Sequence, residues 1–258
     1  MRQDEPYFEI RLAESEQDLL GAQRLRYEVF VEELQGDGAL VDHAARLEKD
    51  RFDPFYDHMI LVDRRRDAAA LEHVVGAYRL LPGERAVAAG GFYCAGEYEL
   101  QTLEQTGRRL LELGRSCVHT DYRGGTALFQ LWKGLGDYVL EREIELLFGV
   151  ASFHGTDVNA LAQPLSFLHH AHLAPEELRV RAVASHFTAM DILPPEAVNR
   201  VQAVREIPAL IKAYLRLGGH VGEGAFVDDL FNTVDICLVM DTERLTAQQR
   251  ATYSGARG

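Results

Sequence analysis

The sequence predicts a mixed α/β sheet with helices on both of its faces. Segments with strand-like alternation and segments with helical spacing follow one another in the order β-α-β-β-β-α-β-α-β-α-β-β. A run of central antiparallel strands, followed by a strand-turn-helix-strand unit, indicates this layered arrangement. No GxGxxG motif follows an early strand, so a classical dinucleotide-binding fold is a poor match.

The first half of the chain predicts one strand, one long helix and a hairpin. Phe8 to Leu12 alternates in polarity and predicts the first strand. Apolar residues three and four positions apart from Glu16 to Glu33 predict an amphipathic helix. His58 to Val62 and Val74 to Leu81 predict two strands joined across a charged stretch, which is typical of a hairpin.

The second half predicts the strand-turn-helix-strand unit and several later elements. Leu110 to Val118 predicts a strand, a turn with two glycines follows, and Ala127 to Arg142 predicts a helix. Leu146 to Ser152 predicts a buried strand. The later predictions are helices from Val158 to His170 and from Pro208 to Leu217, partial alternation from Arg179 to Phe187, and strands from His220 to Phe226 and from Thr233 to Met240.

The chain carries a strong negative charge. Its 258 residues include 40 acidic and 27 basic ones, which gives a formal net charge of −13. This balance argues against a nucleic-acid-binding protein, which needs a basic stripe, and against one that coats anionic lipid with its whole surface. An anionic partner must therefore meet a local basic patch.

Targeting signals and cysteine content predict a cytoplasmic protein. The N-terminus has no basic region followed by an apolar run, so we expect no signal peptide. No window approaches the roughly 18 apolar residues of a membrane-spanning helix. The three cysteines are far apart and odd in number, which offers neither a disulfide framework nor a metal knuckle.

The turn after the Leu110 to Val118 strand is the sharpest local feature. It reads Val118-His119-Thr120-Asp121-Tyr122-Arg123-Gly124-Gly125 and leads directly into a helix. Exposed amides at a helix start form an anion site, and Arg123 adds a positive charge. The turn resembles the acyl-carrier-binding turn of GNAT N-acyltransferases. The resemblance implies that Val118, Arg123, Gly124 and Gly125 bind the phosphopantetheine arm of an acyl carrier.

Ordered motifs in the first half are similar to those of acyl-homoserine-lactone synthases, which are GNAT-fold enzymes that take acyl chains from acyl carrier protein. These motifs are Arg26-Tyr27-Glu28-Val29-Phe30, Asp50-Arg51-Phe52-Asp53, Tyr78-Arg79-Leu80-Leu81-Pro82 and Glu112-Leu113-Gly114-Arg115. The tryptophan that those synthases usually carry after the first motif is absent, and the chain's one tryptophan is Trp132. A synthase that uses S-adenosylmethionine is therefore a disfavoured alternative.

Motifs in the second half resemble the ornithine-lipid N-acyltransferases, and the likeness covers about residues 7 to 242. They are Ala151-Ser152-Phe153-His154-Gly155-Thr156-Asp157, Phe167 to Pro175, Leu178 to Ala182, Leu210 to Gly218, Gly222 to Asp228 and Asp229 to Asp235. The resemblance implies one GNAT-like domain over residues 1–258, with a family-specific extension from about residue 153. It implies a three-layer fold, in which helices cover both faces of a mixed, mostly antiparallel central sheet.

The implied reaction moves a 3-hydroxyacyl group from acyl carrier protein to the α-amine of ornithine and forms lyso-ornithine lipid. Glutamine as the acceptor is the leading alternative, because the motifs do not separate the two amino acids. A non-catalytic acyl-carrier or lipid-binding module is an alternative of another class. No tightly bound cofactor is expected, and a lipid product implies peripheral contact with the inner membrane face.

Amide formation needs a base, an oxyanion donor and a place for the acceptor. Glu112 is the first candidate for the base, since it lies on the central strand; a partner for Arg115 or Arg79 in a polar network is the alternative. Those two arginines could hold the substrate carboxylate through paired hydrogen bonds, or could instead line the core and pair with Asp50 or Asp53. His119 is expected to support the site as a hydrogen-bonding group. Backbone amides near Cys117 to His119 are the expected oxyanion donors.

Acidic residues could receive the cationic side chain of ornithine. Asp50 and Asp53 are three positions apart and would share a face if their segment were helical, although a solvated acidic loop is the alternative. Arg26 belongs to the same motif series and is expected to contact the acceptor. Asn232 could reach the site from its place between the late elements, but a turn is the simpler explanation.

Metal binding at His154, His169, His170 and His172 is not expected, because no HExxH motif or cysteine partner accompanies them. Docking of an acidic carrier protein calls for exposed basic residues, and we expect a basic patch beside Arg123. The candidate residues are Arg108, Arg109, Arg123, Lys133, Arg179, Arg181, Lys212 and Arg216.

Overall fold

The computed structural model describes residues 7–124 and 126–244, and these form two compact units. The first unit consists of residues 7–90 and 113–143, and the second of residues 91–112 and 144–244. The strand Leu110–Val118, called β5, contributes its first three residues to the second unit and the remainder to the first. The expected extension from about residue 153 stays a prediction.

The first unit has a sheet in the order β1-β2-β3-β5. Its other strands are β1 (Phe8–Leu12), β2 (Asp57–Asp63) and β3 (Val74–Pro82). β1 and β3 both pair with β2 in antiparallel register. The helices are α1 (Glu16–Arg26), α2 (Gly83–Ala89) and α4 (Ala127–Glu141).

Helices α1 and α4 cover opposite faces of this sheet. Ile60 and Val62 of β2 pack in one buried cluster with Leu25 of α1. Met59 lies on the other face of β2, and a Cβ added at Gly134 of α4 would lie 3.0 Å from its sulfur. Because successive residues of a strand point to opposite faces, the two helices and the sheet form three layers.

The helix that begins at Glu16 changes its winding after Arg26. Ser15 caps its start, with the side chains of Ser15 and Asp18 each accepting a backbone N–H of the other. Tyr27–Glu33 continues it as a wider π-helical turn, in which the Leu34 N–H donates to the Val29 carbonyl at 3.1 Å. Such π turns occur often at functional sites.

The second unit has a sheet in the order β5-β6-β11-β10-β8. The first three residues of β5 run parallel to β6, and the other pairings are antiparallel. Its strands are β4 (Tyr98–Glu99), β6 (Leu146–His154), β7 (Arg181–Ala182), β8 (Phe187–Thr188), β9 (His220–Val221), β10 (Ala225–Asp228) and β11 (Thr233–Asp241). Its helices are α3 (Gln101–Glu104), α5 (Ala162–His172), α6 (Arg200–Glu206) and α7 (Ala209–Arg216).

The predicted fold class is confirmed: the sheet is mixed, mostly antiparallel and accompanied by helices. The structure differs from the sequence prediction at short elements. Residues 158–161 form a turn, so the helix predicted from Val158 begins at Ala162. The partial alternation predicted from Arg179 contains only two-residue strands. Helix α6 was missed, because seven residues are too few to show a helical period.

No helix within the part of the chain that the structure describes is both long and apolar enough to cross a membrane.

Candidate active site

A buried cluster of three arginines and three acids occupies the first unit. Its members are Arg26, Glu48, Asp50, Asp53, Arg79 and Arg115. The formal charges of these six side chains cancel. Buried charges are tolerated only when they are paired and hydrogen-bonded, so the cluster fixes the geometry of each member.

Asp53 lies at the centre of this cluster. Its Oδ1 accepts hydrogen bonds from Arg26 at 2.8 Å and from Arg79 at 2.7 Å. Its Oδ2 accepts one from the Gln23 side chain at 2.8 Å. Burial opposes ionisation here, but the charges of Arg26 and Arg79 outweigh it and hold the pKa of Asp53 well below its usual range.

Glu48 and Asp50 complete the pairing of the three arginines. Glu48 forms an ion pair with Arg26 and accepts a hydrogen bond from Arg115 at 3.2 Å. Asp50 accepts one from Arg79 at 2.7 Å and lies 3.8 Å from Arg115. Burial opposes ionisation of Glu48, but the charges of Arg26 and Arg115 lower its pKa.

Secondary structure brings these residues together from distant parts of the chain. Arg26 is the last residue of α1, Arg79 lies on β3, and Arg115 lies on β5. Asp53 begins a single 3₁₀ turn after Asp50, so these two aspartates do not share a helix face. They converge because both reach the same Arg79 nitrogen.

Only two members of the cluster have appreciable exposure. The side chain of Arg115 is 14% exposed and that of Asp50 is 19% exposed, whereas those of Arg26, Glu48, Asp53 and Arg79 are between 0% and 5% exposed. Arg115 and Asp50 therefore form the edge of the cluster that a ligand can reach, and that edge carries one positive and one negative charge.

Arg115 has a strained backbone within its strand. Its φ is +49°, in the left-handed region that residues with a side chain seldom adopt. Such a conformation costs on the order of 1–3 kcal/mol and is concentrated at functional sites. This conformation interrupts the regular alternation of side chains along β5 at Arg115. Arg115 is also the one arginine that lies at the accessible edge of the cluster.

The turn after β5 is held by its own side chains. The His119 N–H donates to the Val75 carbonyl at 2.9 Å. His119 is one of the three residues whose amides were expected to bind the oxyanion, and its amide already has an acceptor. The His119 ring accepts from the Asp121 N–H at 3.2 Å and lies 4.0 Å from Glu28. His119 therefore shapes the start of the turn.

Arg123 lies on the surface of this turn and is already paired. Its Nε donates to the Val118 carbonyl at 3.0 Å, and its Nη2 lies 2.7 Å from Glu33. Gly124 has a φ of +75°, which glycine adopts without strain. Gly125, the last residue predicted to bind the carrier arm, lies outside the described residues.

Arg123 has an acid, Glu33, as its ion-pair partner, so the basic patch expected beside Arg123 stays a prediction. Two other basic residues proposed for docking also have acidic partners. Arg108 pairs with Asp241 at 2.6 Å, and Arg181 pairs with Glu223. Docking of a carrier on these residues stays a prediction.

Glu112 lies in the second unit and is tied to a nearby backbone segment. Its side chain accepts the N–H of Tyr93 at 2.9 Å and that of Cys94 at 2.7 Å, one on each oxygen. The residue is only 1% exposed. These contacts are those of a residue that positions the 3₁₀ turn Tyr93–Gly96.

Asn232 occupies the turn between β10 and β11. Its φ is +52°, and its carbonyl accepts the N–H of Gly155 at 2.8 Å. Asparagine tolerates this left-handed conformation better than most residues. The structure thus shows Asn232 in a turn, and contact with substrate stays a prediction.

Sequence reasoning missed Glu48 of the buried cluster and Gln23, which donates a hydrogen bond to it. Glu48 stands in a polar stretch, Leu47-Glu48-Lys49-Asp50, that has no periodicity to mark it as buried. Gln23 had a usable signal, because it precedes Arg26 by three positions and so lies on the same face of α1. That face points two polar side chains toward Asp53.

Comparison with known proteins identifies the family. Residues 25–133 match the acetyltransferase (GNAT) domain. An L-ornithine N(alpha)-acyltransferase of Rhodobacter capsulatus is 59% identical over 96% of this chain and 95% of its own length. The chain belongs to the L-ornithine N(alpha)-acyltransferase family. The resemblance that the motifs indicated is therefore confirmed, and the protein is an acyltransferase.

Solved structures of GNAT-like acyltransferases share the fold of this family member. FeeM, an N-acyl amino acid synthase from uncultured soil microbes, aligns with a TM-score of 0.54 at 12% identity, covering 94% of this chain and 97% of its own. The acyl-homoserine-lactone synthase LasI aligns with a TM-score of 0.51 at 16% identity, covering 96% and 95%. The expected distant similarity to the lactone synthases is confirmed at the level of the fold.

Proposed function

We propose that this acyltransferase moves a 3-hydroxyacyl group from acyl carrier protein to the α-amine of L-ornithine and forms lyso-ornithine lipid. The observation that carries the proposal is the 59% identity to a relative named L-ornithine N(alpha)-acyltransferase over 96% of the chain. That relative is named for ornithine and matches almost the whole chain, so ornithine is favoured over glutamine as the acceptor.

The accessible edge of the buried cluster supports an amino acid as the acceptor. Arg115 can bind the α-carboxylate, since a guanidinium matches a carboxylate through two parallel hydrogen bonds. Asp50, 3.8 Å away, can accept from the α-ammonium and take its proton, directly or through water. Arg26, Arg79 and Asp53 hold these two side chains in place from behind.

Loss of this proton leaves the α-amine of the acceptor neutral, and the neutral amine is the nucleophile for acyl transfer. The nitrogen lone pair attacks the thioester carbonyl carbon and forms a tetrahedral intermediate. As this intermediate collapses, the carbon–sulfur bond breaks and the nitrogen releases one proton to water, which leaves the amide. The pantetheine sulfur leaves as a thiolate and takes up a proton from solvent. Backbone amides of Cys117 or Val118 on β5 are the proposed donors to the oxyanion of the tetrahedral intermediate.

The acyl donor in this proposal is held at the turn after β5. A phosphopantetheine phosphate would lie at the start of α4, where backbone N–H groups and the helix dipole favour an anion. Val118, Arg123, Gly124 and Gly125 would contact the arm, and Arg123 would exchange Glu33 for the phosphate. Because the product is a lipid, the enzyme would work in the cytoplasm at the inner membrane face.

Mass spectrometry of reaction products tests this proposal. The purified protein is incubated with 3-hydroxyacyl carrier protein and, in separate reactions, ornithine, glutamine or S-adenosylmethionine. We expect acyl-ornithine only. Acyl-glutamine as the main product would reassign the acceptor, a lactone would indicate a synthase, and carrier binding without any product would indicate a non-catalytic module. Replacing the carrier by the acyl-coenzyme A thioester tests the donor.

A further inference from the structure

Three consecutive arginines stand in the loop of the first unit that joins β2 to β3. This arginine loop, residues 64–73, begins with Arg64, Arg65 and Arg66, and none of the three belongs to the buried cluster. The chain as a whole carries a formal net charge of −13. Three adjacent positive charges are therefore a local departure from an acidic background, and such a departure is what an anionic partner needs.

The arginine loop lies at the same edge of the sheet as the turn after β5. The His119 N–H donates to the Val75 carbonyl at 2.9 Å, which brings the end of β5 beside the start of β3. The Tyr122 hydroxyl donates to Asp63, the last residue of β2, at 2.7 Å. The loop therefore adjoins the turn at which the proposed function places the phosphopantetheine arm.

Tyr122 joins this turn to the arginine loop. Its hydrogen-bond acceptor, Asp63, also accepts two hydrogen bonds from Arg65, at 2.6 and 2.9 Å. The guanidinium of Arg66 lies over the Tyr122 ring, 6.0 Å from the ring centroid. These contacts hold the loop and the turn together, so a protein bound at the loop would lie at a fixed distance from the backbone amides at the start of α4.

Two of the three guanidiniums lie outside their acidic partners. Arg65 is 54% exposed, whereas the side chain of Asp63 beneath it is 1% exposed. Arg64 is 61% exposed and donates to Glu9, which is 36% exposed, at 3.0 and 3.3 Å. Arg64 and Arg65 therefore face solvent and are already held in place, and side chains that are held in place lose less entropy when a partner binds.

Two acids of the loop offset part of its charge. Asp67 accepts the Ala69 N–H at 2.8 Å and closes a turn within the loop. Glu72 is 53% exposed and lies 3.6 Å from Arg66. An exposed pair of this kind is weak because water screens it, so a carboxylate of a partner can replace Glu72. Glu72 thus competes with any acidic partner of the loop.

We propose that the arginine loop is a docking surface for the acidic acyl carrier protein. The inference rests on the proposed function and deepens it, because it assigns the surface that binds the donor protein. Carboxylates of the carrier would accept hydrogen bonds from Arg64 and Arg66, since a guanidinium matches a carboxylate through parallel hydrogen bonds. A carrier bound there would extend its arm into the adjoining turn after β5.

Binding of the carrier protein tests the inference. Titration calorimetry with the phosphopantetheine-bearing carrier is done on the full chain, for the wild type, Arg64→Gln, Arg66→Gln and the double variant. We expect each single variant to weaken binding about 3- to 10-fold and the double variant to weaken it further. The loss of affinity with rising ionic strength should be smaller in the variants, because fewer charges remain to be screened. Glu72→Gln removes the competing acid and should tighten binding about twofold.

Arg85→Gln is the matched control within the same unit. Arg85 is 41% exposed and pairs with Asp57, at the opposite end of β2 and about 20 Å along the strand from Asp63. Its carrier affinity should equal that of the wild type, and every variant should keep its thermal midpoint, since exposed ion pairs contribute little to stability. Unchanged affinity in the double variant, an equal loss in Arg85→Gln, or no carrier binding by the wild type would each overturn the inference.

A second donor and a second occupant separate docking from other causes. With the acyl-pantetheine thioester as the donor, the double variant should transfer acyl groups within about twofold of the wild type, whereas damage to the fold would lower the rate with both donors. Vesicles of phosphatidylglycerol test a lipid surface as the occupant. Vesicle binding that is lost in the double variant while carrier affinity is kept would overturn the inference.

Product analysis distinguishes failure of the inference from failure of the proposed function. A wild type that binds the carrier through Arg64 and Arg66 but does not acylate ornithine would sink the proposed reaction and leave the docking surface standing. Acyl-ornithine made from acyl carrier protein with an unchanged KM for the carrier in the double variant would leave the reaction standing and overturn the docking surface.

Discussion

Arg26 and Asp53 form a buried ion pair at 2.8 Å, with the arginine side chain fully inaccessible and the aspartate 5% exposed. Removing one partner of such a pair leaves the other charge buried without compensation. The pair joins the last residue of α1 to the short turn before β2. It therefore fixes α1 and this turn relative to each other. Arg115 and Asp50 reach their positions only when both elements are in place.

Asp53→Asn should strongly destabilise the first unit. The substitution keeps the shape of the side chain but leaves Arg26 and Arg79 facing a neutral amide, and we expect a loss of about 3–5 kcal/mol in the free energy of unfolding. Urea denaturation measures it. Glu32→Gln is the matched control, since it breaks the exposed Arg46–Glu32 pair and should cost no more than about 1 kcal/mol. Similar losses in both variants would contradict a special role for the buried pair.

The same pair makes stability depend on pH. The pKa of Asp53 is lowered in the folded state, because Arg26 and Arg79 outweigh burial. A lowered folded pKa adds stability above the unfolded pKa of about 4, and that stability is lost as pH falls toward the folded pKa. The difference in unfolding free energy between wild type and Asp53→Asn should be constant from pH 5 to 7 and shrink below pH 4. A difference that stays constant down to pH 2 would contradict the assignment.

The sequence was sufficient for the long elements because their periods are strong. β5 begins and ends at the predicted residues, Leu110 and Val118, and α4 ends one residue before the predicted Arg142. It was also sufficient to select Arg26, Arg79, Asp50, Asp53 and Arg115, which the structure brings together. It could not show that the acids neutralise the arginines, because pairing between residues 26 and 53 or 79 and 50 depends on tertiary contacts without a local pattern.

The predicted roles of Glu112 and Asn232 illustrate a different limit. Both roles stay predictions. The Glu112 side chain accepts two backbone N–H groups and the Asn232 carbonyl accepts the Gly155 N–H, and these contacts have no local sequence pattern.

Gly134→Ala should disrupt the packing of α4 on the sheet. A Cβ at this position would lie 2.6 Å from the Ile10 side chain and 3.0 Å from the Met59 sulfur, closer than packed atoms allow. The strain should exceed the helix-propensity gain of about 1 kcal/mol and lower stability by about 1–3 kcal/mol. Thermal denaturation checks it against Gly96→Ala, where no atom lies within 4 Å. A stabilised Gly134→Ala protein would show that α4 is not so closely packed.

The cysteines should be inert, and transfer should not require a thiol. All three are buried, and burial raises the pKa of Cys117 to about 12 and that of Cys94 well above its usual value. Iodoacetamide at pH 8 should label the native protein at least about 100-fold more slowly than the urea-unfolded protein, as read by mass spectrometry. Cys117→Ala should retain acyl transfer within about threefold. Rapid labelling of Cys117, or an acyl adduct on it, would indicate covalent catalysis.

Glu112→Gln and Asp50→Asn distinguish the two candidates for the base. Both Glu112 oxygens accept backbone amides, so a glutamine there must turn its NH₂ group toward one of them and should cost about 1–3 kcal/mol in stability. We expect turnover and carrier binding to fall together in Glu112→Gln, as for a positioning residue. Asp50→Asn should instead lower kcat about 100-fold or more while carrier binding is kept. If Glu112→Gln lost kcat alone, with its thermal midpoint and carrier affinity unchanged, Glu112 would be the base and Asp50 a binding residue.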